Sequence, residues 1–235
     1  DAMGGIPTDV YSRVLSDEKG TVLPGVYAAG EAACVSVHGA NRLGTNSLLD
    51  IVVFGKRAGQ SMVDYVTQTK PNSISDSASD DLSKKIQVLI DKEHTDKFSV
   101  ANIRKDLQES MEENAKIFRT KQTLEKQTEI LEELRDRYEN VTIFDKSKVH
   151  NSELVEAIEL DYLLDMSEAT VASALARNES RGAHSRQDFP DRVDTNFMKH
   201  SFAFKKDNTA NLKYKDVELG KYEPMERKYL SLIHI

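Results

Sequence analysis

The hydrophobic pattern begins with short apolar runs and then changes to one long apolar helix. Up to residue 23, turn residues alternate with short β-type runs such as residues 10–15, which predicts small strands. After a turn signal at residues 24–25, residues 26–29 are apolar on both faces, which is typical of a buried parallel strand. Between residues 47 and 66, apolar side chains recur at helical spacing over a broad face. We therefore expect a helix that is deeply buried near its start.

Two further features of this helix are its start and its small residues. Asn46 and Ser47 are both good N-caps, so the helix should begin near one of them, with the positive end of its dipole facing the preceding loop. Gly55 and Gly59 are four residues apart and remove side chains from one stripe of the helix. Such a stripe favours tight packing of the helix on a sheet over a dimerisation device.

The second half of the chain has the pattern of amphipathic helices. Residues 67–81 are polar and rich in Ser, Asp and Thr, which predicts a linker or an exposed loop. Four helix-period segments follow, and we expect them to form an antiparallel bundle. These segments are residues 82–93, 99–119, 120–140 and 152–177. Residues 201–204 and 212–219 then predict the two strands of a small hairpin, joined by a polar turn at residues 206–211.

These patterns predict an α/β plus α fold. Its regions are residues 1–70, a linker at 71–81, a helical bundle domain at 82–185 and a small C-terminal β/loop region at 186–235.

The composition narrows the class of protein. A hydrophobic content of 39% in 235 residues suffices for a core, and a net charge of -7 argues against a general nucleic-acid binder. No run of about 18 uncharged apolar residues is present to span a bilayer. The first residues have neither the basic start nor the apolar core of a signal peptide. They are typical of the middle of a domain, so we expect the chain to be a fragment.

The chain contains a single cysteine, Cys34, which excludes an internal disulfide and fits a reducing compartment. Cys34 lies in the apolar run AACVSV with no base nearby in the sequence, so we favour packing over a nucleophilic role. No group of His, Cys and Glu residues has metal-ligand spacing, and we expect no metal.

The loop before the long helix concentrates the candidate chemistry. Arg42 lies among small residues, where its guanidinium can clamp a carboxylate or phosphate; the alternative is an internal salt bridge with Asp50 or Glu31. Glu31 directly follows an apolar strand, where it reaches a ribose or ribityl hydroxyl or else caps a helix. Three roles are open for His38: a general acid, a hydrogen-bond donor to a substrate carboxylate, or a loop histidine whose hydrogen bonds are satisfied within the protein. For the residue taken alone, the last role is favoured.

The start of the helix suits an electron-rich partner. Ser47 and Leu48 offer backbone N–H groups at the helix N-terminus, which fits a flavin's pyrimidine edge or any oxyanion. With Arg42 nearby, the loop is predicted to hold an anion.

The same residues carry a family resemblance. The run GVYAAGEAACVSVHGANRLGTNSLLDIVVFG resembles the C-terminal FAD-binding segment of succinate dehydrogenase and fumarate reductase flavoprotein subunits. The similarity extends back to MGGIPTD and forward through ESRGAHSRQDFPDR and KHSFAF to YEPMERKY. HGANRLG followed by NSLLD is more similar to the dehydrogenase branch.

The resemblance implies a fold, a cofactor and a set of site residues. The first region would be the C-terminal part of an FAD-binding Rossmann-like domain, ahead of the helical bundle and a small β hairpin tail. The implied FAD-binding residues are Glu31, Asn46, Ser47 and Leu48. The implied residues of the dicarboxylate site are Arg42, which holds the substrate, Thr45, at a position that is often Ala in relatives, and His38.

The implied activity is oxidation of succinate to fumarate with FAD as hydride acceptor. Electrons would then pass through an iron–sulfur subunit to quinone, in a complex with membrane anchor subunits. The implied location is peripheral, on the cytoplasmic face of a bacterial inner membrane or the matrix side of the mitochondrial one. The alternatives are a fumarate reductase subunit or, in another class, a non-catalytic helical interaction module built on residues 82–180.

Some parts of the family pattern are not matched by this sequence. The histidine of an HYxMGG pattern, the proton-shuttling arginine and the N-terminal dinucleotide-binding half have no counterpart in it, so we assign it no catalytic residue and expect it to be inactive alone. The final LSLIHI departs from the family, and we interpret it as a cloning or assembly artefact.

The segment RGAHSR contributes Arg181, His184 and Arg186, for which the family gives no sure role. These residues either pack the bundle against the flavin domain or face the iron–sulfur partner, and a structural role is favoured.

Overall fold

The computed structural model describes residues 4–70, 73–75, 77–206, 209–221 and 223–225. This part of the chain is mixed α/β. Its N-terminal elements are β1 (Ile6–Pro7), β2 (Arg13–Leu15), β3 (Val22–Tyr27), β4 (Ala33–Cys34) and α1 (Asn46–Gln68). The elements that follow are α2 (Asp80–Asp91), α3 (Val100–Asn114), β5 (Phe118–Arg119), α4 (Lys121–Glu139), α5 (Ser152–Ala176), β6 (Ser185–Arg186), α6 (Asp194–Phe197), β7 (Lys199–Lys206) and β8 (Thr209–Asp216).

The N-terminal strands form two small pairs. β1 pairs with β4 in parallel, and β2 pairs with β3 in an antiparallel arrangement with a register shift. The prediction of a buried parallel strand at residues 26–29 is therefore wrong: β3 ends at Tyr27, is antiparallel, and leaves Val26 44% exposed. The prediction fails because a strand can be buried on both faces only inside a sheet that is covered on both sides, whereas β3 belongs to a two-stranded pair.

Helix α1 begins where the sequence predicts but is less buried than predicted. Its N-cap is Thr45, with φ 69° and no side-chain capping bond, so neither Asn46 nor Ser47 is the cap. Leu48 and Val52 are each 69% exposed. The buried residues of α1 are Asp50, Phe54 and Ala58. The apolar pattern identifies which face can be buried, but burial also requires a neighbouring element.

The predicted tight packing at Gly55 and Gly59 is also wrong for the described residues. A Cβ atom added at either glycine would meet no described atom within 4 Å. The stripe of small residues therefore faces open space in this part of the structure.

The helical region encloses the main apolar core. The core draws buried residues from α2, α3, α4 and α5, including Leu89, Ile103, Leu124 and Leu160. Ion pairs between α3 and α4 show how these two helices are oriented relative to each other. Lys126–Glu113 and Arg137–Asp106 join opposite ends of α3 and α4, so these two helices run antiparallel.

Helices α4 and α5 are also antiparallel. The Tyr138 hydroxyl, near the end of α4, donates to the carbonyl of Ala157 near the start of α5. One turn earlier in α4, Arg135 forms ion pairs further along α5, with Asp161, Asp165 and Glu168.

The predicted helix over residues 99–119 is too long. Helix α3 ends at Asn114, and Phe118–Arg119 instead forms β5, which pairs in parallel with β6. The Arg119 side chain donates to the carbonyls of Ala115 and Lys116, each at 2.9 Å. These bonds satisfy carbonyls beyond the helix end, and the pairing partner of β5 lies more than sixty residues later, where helical periodicity gives no signal.

The C-terminal hairpin is confirmed in kind, with longer strands than predicted. β7 and β8 have eight residues each and pair in antiparallel register from Lys199↔Asp216 to Lys206↔Thr209. Residues 207–208 of the predicted turn, residues 71, 72 and 76 of the predicted linker, and the LSLIHI tail lie outside the described residues. Among the described helices, none has both the length and the apolar character needed to cross a bilayer.

Candidate functional site

The loop between β4 and α1 carries the predicted anion site, and a buried contact between His38 and Asp50 holds it to the helix. His38 Nε2 lies 2.8 Å from Asp50 Oδ2, and the Asp50 residue is only 4% exposed. A cavity of about 210 Å³ lies beside this pair. It is lined by Val37, His38, Asn46, Leu49, Asp50, Val53 and Phe54. This contact satisfies only one ring nitrogen of His38: the buried Nδ1 has no hydrogen-bond partner among the described residues, so the interpretation as a satisfied loop histidine holds for Nε2 alone.

The partnership of Asp50 with His38 is a feature that sequence reasoning missed. The sequence suggests Asp50 only as a partner for Arg42. The available signal was its position, since it is the one charge in an otherwise apolar helical stretch. A charge on an apolar helix face requires a polar partner when it is buried.

The charge of Arg42 acts on the partly buried thiol of Cys34 on β4. Burial raises the pKa of the Cys34 thiol, and the positive charge of Arg42 opposes that shift while the negative charge of Asp50 adds to it. The three side chains therefore occupy one electrostatic neighbourhood. Because the raised pKa keeps the thiol protonated, the structure supports packing for Cys34 and not a nucleophilic role.

The start of α1 adjoins this neighbourhood. Thr45 occupies the cap with φ 69° and provides no side-chain acceptor for the first N–H groups of the helix. Asn46 and Ser47 are half-buried, whereas the Leu48 side chain is 69% exposed. The positive end of the helix dipole is therefore left without a capping side chain, an arrangement that suits an anionic or electron-rich group.

Glu31 lies in a single 3₁₀ turn, Gly30–Ala32, that packs on α1. Gly30 has φ 73°, and a Cβ atom added there would lie 3.2 Å from Ile51. The glycine thus lets the turn approach the helix closely. Glu31 itself is exposed and is not among the cavity-lining residues, and neither are Arg42, Thr45, Ser47 and Leu48. Of the predicted site residues, His38 and Asn46 line the cavity together.

The RGAHSR segment, residues 181–186, contacts the loop between β4 and α1. The Ala183 N–H donates to the Ala40 carbonyl at 2.9 Å. Gly182 has φ 60°, and a Cβ atom added there would lie 2.4 Å from that carbonyl oxygen. A second contact joins Ser36 Oγ to His200 Nε2 of β7, at 2.8 Å. These contacts were not predicted, because nothing in the sequence indicates which loop the segment meets.

Arg181 is bound within the helical region by two carboxylates. It forms ion pairs with Glu179 at 2.8 Å and Asp194 at 2.7 Å. Glu179 has no exposed surface and also accepts from Arg177 and from the Val193 N–H. Arg181 therefore has a structural role.

His184 is fixed as a neutral imidazole. Its Nδ1 accepts from Arg119 at 3.1 Å and its Nε2 lies 3.1 Å from the Arg177 carbonyl, to which it donates. Burial lowers its pKa, and the positive charges of Arg119, Arg177 and Arg186 lower it further, against the backbone contact that raises it. Protonation of the ring would put a proton on Nδ1, facing the Arg119 guanidinium, which explains why the pKa of His184 is lowered.

Arg186 closes the end of α5. Its side chain has no exposed surface, pairs with both carboxylate oxygens of Asp188 at 2.8 Å, and donates to the carbonyls of Ala174, Leu175 and Arg177. These are the unpaired carbonyls that every helix leaves at its C-terminus. All three residues of the segment are therefore engaged inside the molecule.

Comparisons with known proteins cover nearly the whole chain. Residues 104–229 match the family model described as fumarate reductase flavoprotein C-term, and residues 2–48 match that of an FAD binding domain. The succinate dehydrogenase flavoprotein subunit of Rickettsia bellii is 46% identical over 206 residues, which are 86% of this chain and 34% of the relative. The fumarate reductase flavoprotein subunit of Mycobacterium tuberculosis is 38% identical over 233 residues, 97% of this chain and 39% of the relative.

The chain is also similar in structure to a solved flavoprotein of the same kind. A variant of E. coli quinol fumarate reductase FrdA superimposes with a TM-score of 0.83 at 35% identity, over 94% of this chain and 37% of that one. The chain thus spans about a third of the length of the relatives it matches, at 34% of the Rickettsia protein.

Proposed function

The chain belongs to the succinate dehydrogenase and fumarate reductase flavoprotein family, whose cofactor is FAD, and from that premise we propose that it forms part of an enzyme that oxidises succinate to fumarate. The observation that carries the proposal is the start of α1: its N-cap Thr45 makes no side-chain capping bond, and Arg42 lies three residues before it in the loop. The dehydrogenase direction is supported by the loop sequence HGANRLG followed by NSLLD. Fumarate reduction is the second candidate, supported by the Mycobacterium tuberculosis relative.

The residues at the start of α1 fit FAD. The first N–H groups of the helix lack a capping side chain, which suits an electron-rich flavin edge, and the exposed Glu31 lies on a turn packed against the same helix. Asn46, Ser47 and Leu48 would hold the flavin there, with Glu31 on a ribose or ribityl hydroxyl. When bound, FAD supplies the two-electron acceptor for the oxidation.

Arg42 is proposed to bind the dicarboxylate. A guanidinium presents two parallel N–H donors to a carboxylate, which fixes the orientation of the substrate as well as its charge. Thr45 and His38 flank it, and Asp50 holds the His38 ring by its 2.8 Å contact. This chain then binds and orients the substrate, and we assign no proton-transferring residue to it.

The partners follow from the same proposal. Electrons would leave through an iron–sulfur subunit to quinone, with membrane anchor subunits completing the complex; the E. coli relative of known structure is a quinol fumarate reductase. The chain would lie peripherally, on the cytoplasmic face of a bacterial inner membrane or the matrix side of a mitochondrial one.

Substitution of Arg42 tests the proposal. In the complete flavoprotein, Arg42→Ala is expected to lower kcat/KM for succinate by about 100-fold or more, because two charge-assisted hydrogen bonds are lost. The control is Lys56→Ala, which removes an exposed cation from α1, the helix that follows the loop, and it should leave kcat/KM unchanged. Steady-state turnover with an artificial electron acceptor measures both. A change of less than about twofold in Arg42→Ala would remove the substrate role of this residue.

A further inference from the structure

The anion-binding loop, residues 36–45, has a backbone that needs support from outside. Ser36 and Thr45 have φ of 70° and 69°, in the left-handed region that side chains other than glycine rarely adopt. They stand at the two ends of the loop and on either side of Arg42. Such conformations persist when surrounding contacts fix them.

The support comes from the helical half of the chain. Residues 180–186, here called the docking turn, touch the loop through the backbone: the Ala183 N–H donates to the Ala40 carbonyl two residues before Arg42. Gly182 has no side chain where a Cβ atom would lie 2.4 Å from the Ala40 oxygen and 2.8 Å from its Cβ. The Ser36–His200 contact holds the loop at its first residue.

The docking turn is itself rigid. Ser180 Oγ accepts from the Arg186 N–H at 2.8 Å and donates to the Phe189 carbonyl at 2.9 Å, which closes the turn on itself. The buried Glu179 and the buried Arg186 anchor its two ends to the helical region. A segment held this way can impose a position on the loop that it contacts.

We propose that the docking turn is a positioning element for Arg42. By fixing Ala40, it sets the place of the guanidinium, so that the helical half controls how tightly the loop binds a dicarboxylate. The identity of the bound anion rests on the proposed function; the mechanical coupling of turn and loop does not.

Gly182→Ala in the complete flavoprotein tests the coupling. The new methyl group must displace the Ala40 backbone, so we expect the KM for succinate to rise about tenfold while kcat changes by less than about threefold, as for a loss of uniform substrate binding. Hydrogen exchange of the amides in residues 36–45 should accelerate, and that of α3 to α5 should not.

The matched control is Gly220→Ala. Gly220 also has a positive φ, of 47°, but no described atom lies within 4 Å of an added Cβ. It therefore has a comparable backbone cost without a neighbour to displace. KM and loop exchange should equal those of the wild type.

The outcomes separate the two proposals. If Arg42→Ala lowers kcat/KM but Gly182→Ala leaves KM and loop exchange at wild-type values, the positioning role is wrong and the proposed function stands. If Arg42→Ala has no effect on kcat/KM, the proposed function is wrong. Hydrogen exchange of residues 36–45 in Gly182→Ala then tests by itself whether the docking turn positions the loop. Should Gly182→Ala prevent folding, Ser180→Ala decides instead, because it removes the hydrogen bonds that close the docking turn without adding an atom. It must accelerate exchange in residues 36–45, with Ser180→Thr restoring part of the protection, or the inference is overturned.

Discussion

The buried charges of the helical half show how individual residues hold this fold. Glu179 has no exposed surface, and burial works to raise its pKa. The hydrogen bonds from Arg181, the Val193 N–H and Arg177 outweigh burial, and the pKa is lowered. Each partner therefore matters, because removing one leaves a buried charge incompletely compensated.

His184 makes stability depend on pH above the range where carboxylates titrate. Its folded-state pKa lies below the ordinary 6.5, so below about that pH the unfolded chain binds more protons and stability falls as the pH falls toward the folded pKa. His184→Gln should reduce the loss of stability between about pH 8 and pH 5.5, measured by urea denaturation. Burial also lowers the pKa of His200, so part of the slope should remain.

The control for this prediction is His150→Gln, because His150 is exposed. It should retain the full wild-type loss of stability over the same pH range. An equal slope in the two variants would show that the His184 environment does not drive the pH dependence.

At the scale of elements, α1 shows what periodicity does and does not predict. Its existence follows from the apolar spacing, and the structure confirms it; its start near Asn46 is also confirmed, but the N-cap is Thr45 and not one of the predicted caps. Its burial does not follow: Leu48 and Val52 are exposed although they continue the apolar pattern. Helix α3 shows the complementary case, because its end at Asn114 depends on Arg119 and on the β5–β6 pairing.

The open stripe on α1 predicts the effect of adding a methyl group. In the 235-residue chain, Gly55→Ala should raise the free energy of unfolding by about 0.5–1 kcal/mol, because alanine loses less backbone entropy in a helix and no described atom opposes it. Gly30→Ala is the contrasting variant: its φ of 73° and the 3.2 Å approach to Ile51 should make it destabilising. Destabilisation by Gly55→Ala in urea melts would mean that another part of the molecule packs on the stripe.

At the scale of the whole molecule, the N-terminal elements and the helical half meet at the loop of residues 36–45, where an anion site is predicted. The connections are the Ala40–Ala183 bond, the Ser36–His200 contact and, farther away, the Lys213–Glu18 ion pair. The predicted cofactor residues belong to the N-terminal elements: Glu31 lies in the 3₁₀ turn, and Asn46, Ser47 and Leu48 form the first turn of α1. Glu31 and Leu48 are exposed there, and much of the apolar surface of α1 is uncovered by described residues.

This exposure predicts weak cofactor binding by the 235-residue chain alone. A flavin at the start of α1 would keep much of its apolar ring in water, so burial would contribute little affinity. After incubation with excess FAD and dialysis, we expect no stoichiometric yellow chromophore. Fluorescence titration should give the same weak binding for wild type and Glu31→Ala. A stoichiometric flavin retained through dialysis would contradict the prediction.

Local patterns in the sequence suffice to predict the helices, the hairpin and the family, because these depend on local spacing and on continuous motifs such as HGANRLG. The same patterns put Arg42 and His38 in one loop directly before α1, since these residues are close along the chain. Only the folded chain establishes the contacts between residues that are distant in sequence: Ala40 with Ala183, and β5 with β6, as well as the nearer pair His38 and Asp50. Local propensity carries no information about which distant segment a loop contacts. The position of residues 36–45 depends on such contacts, with Ala183 and His200.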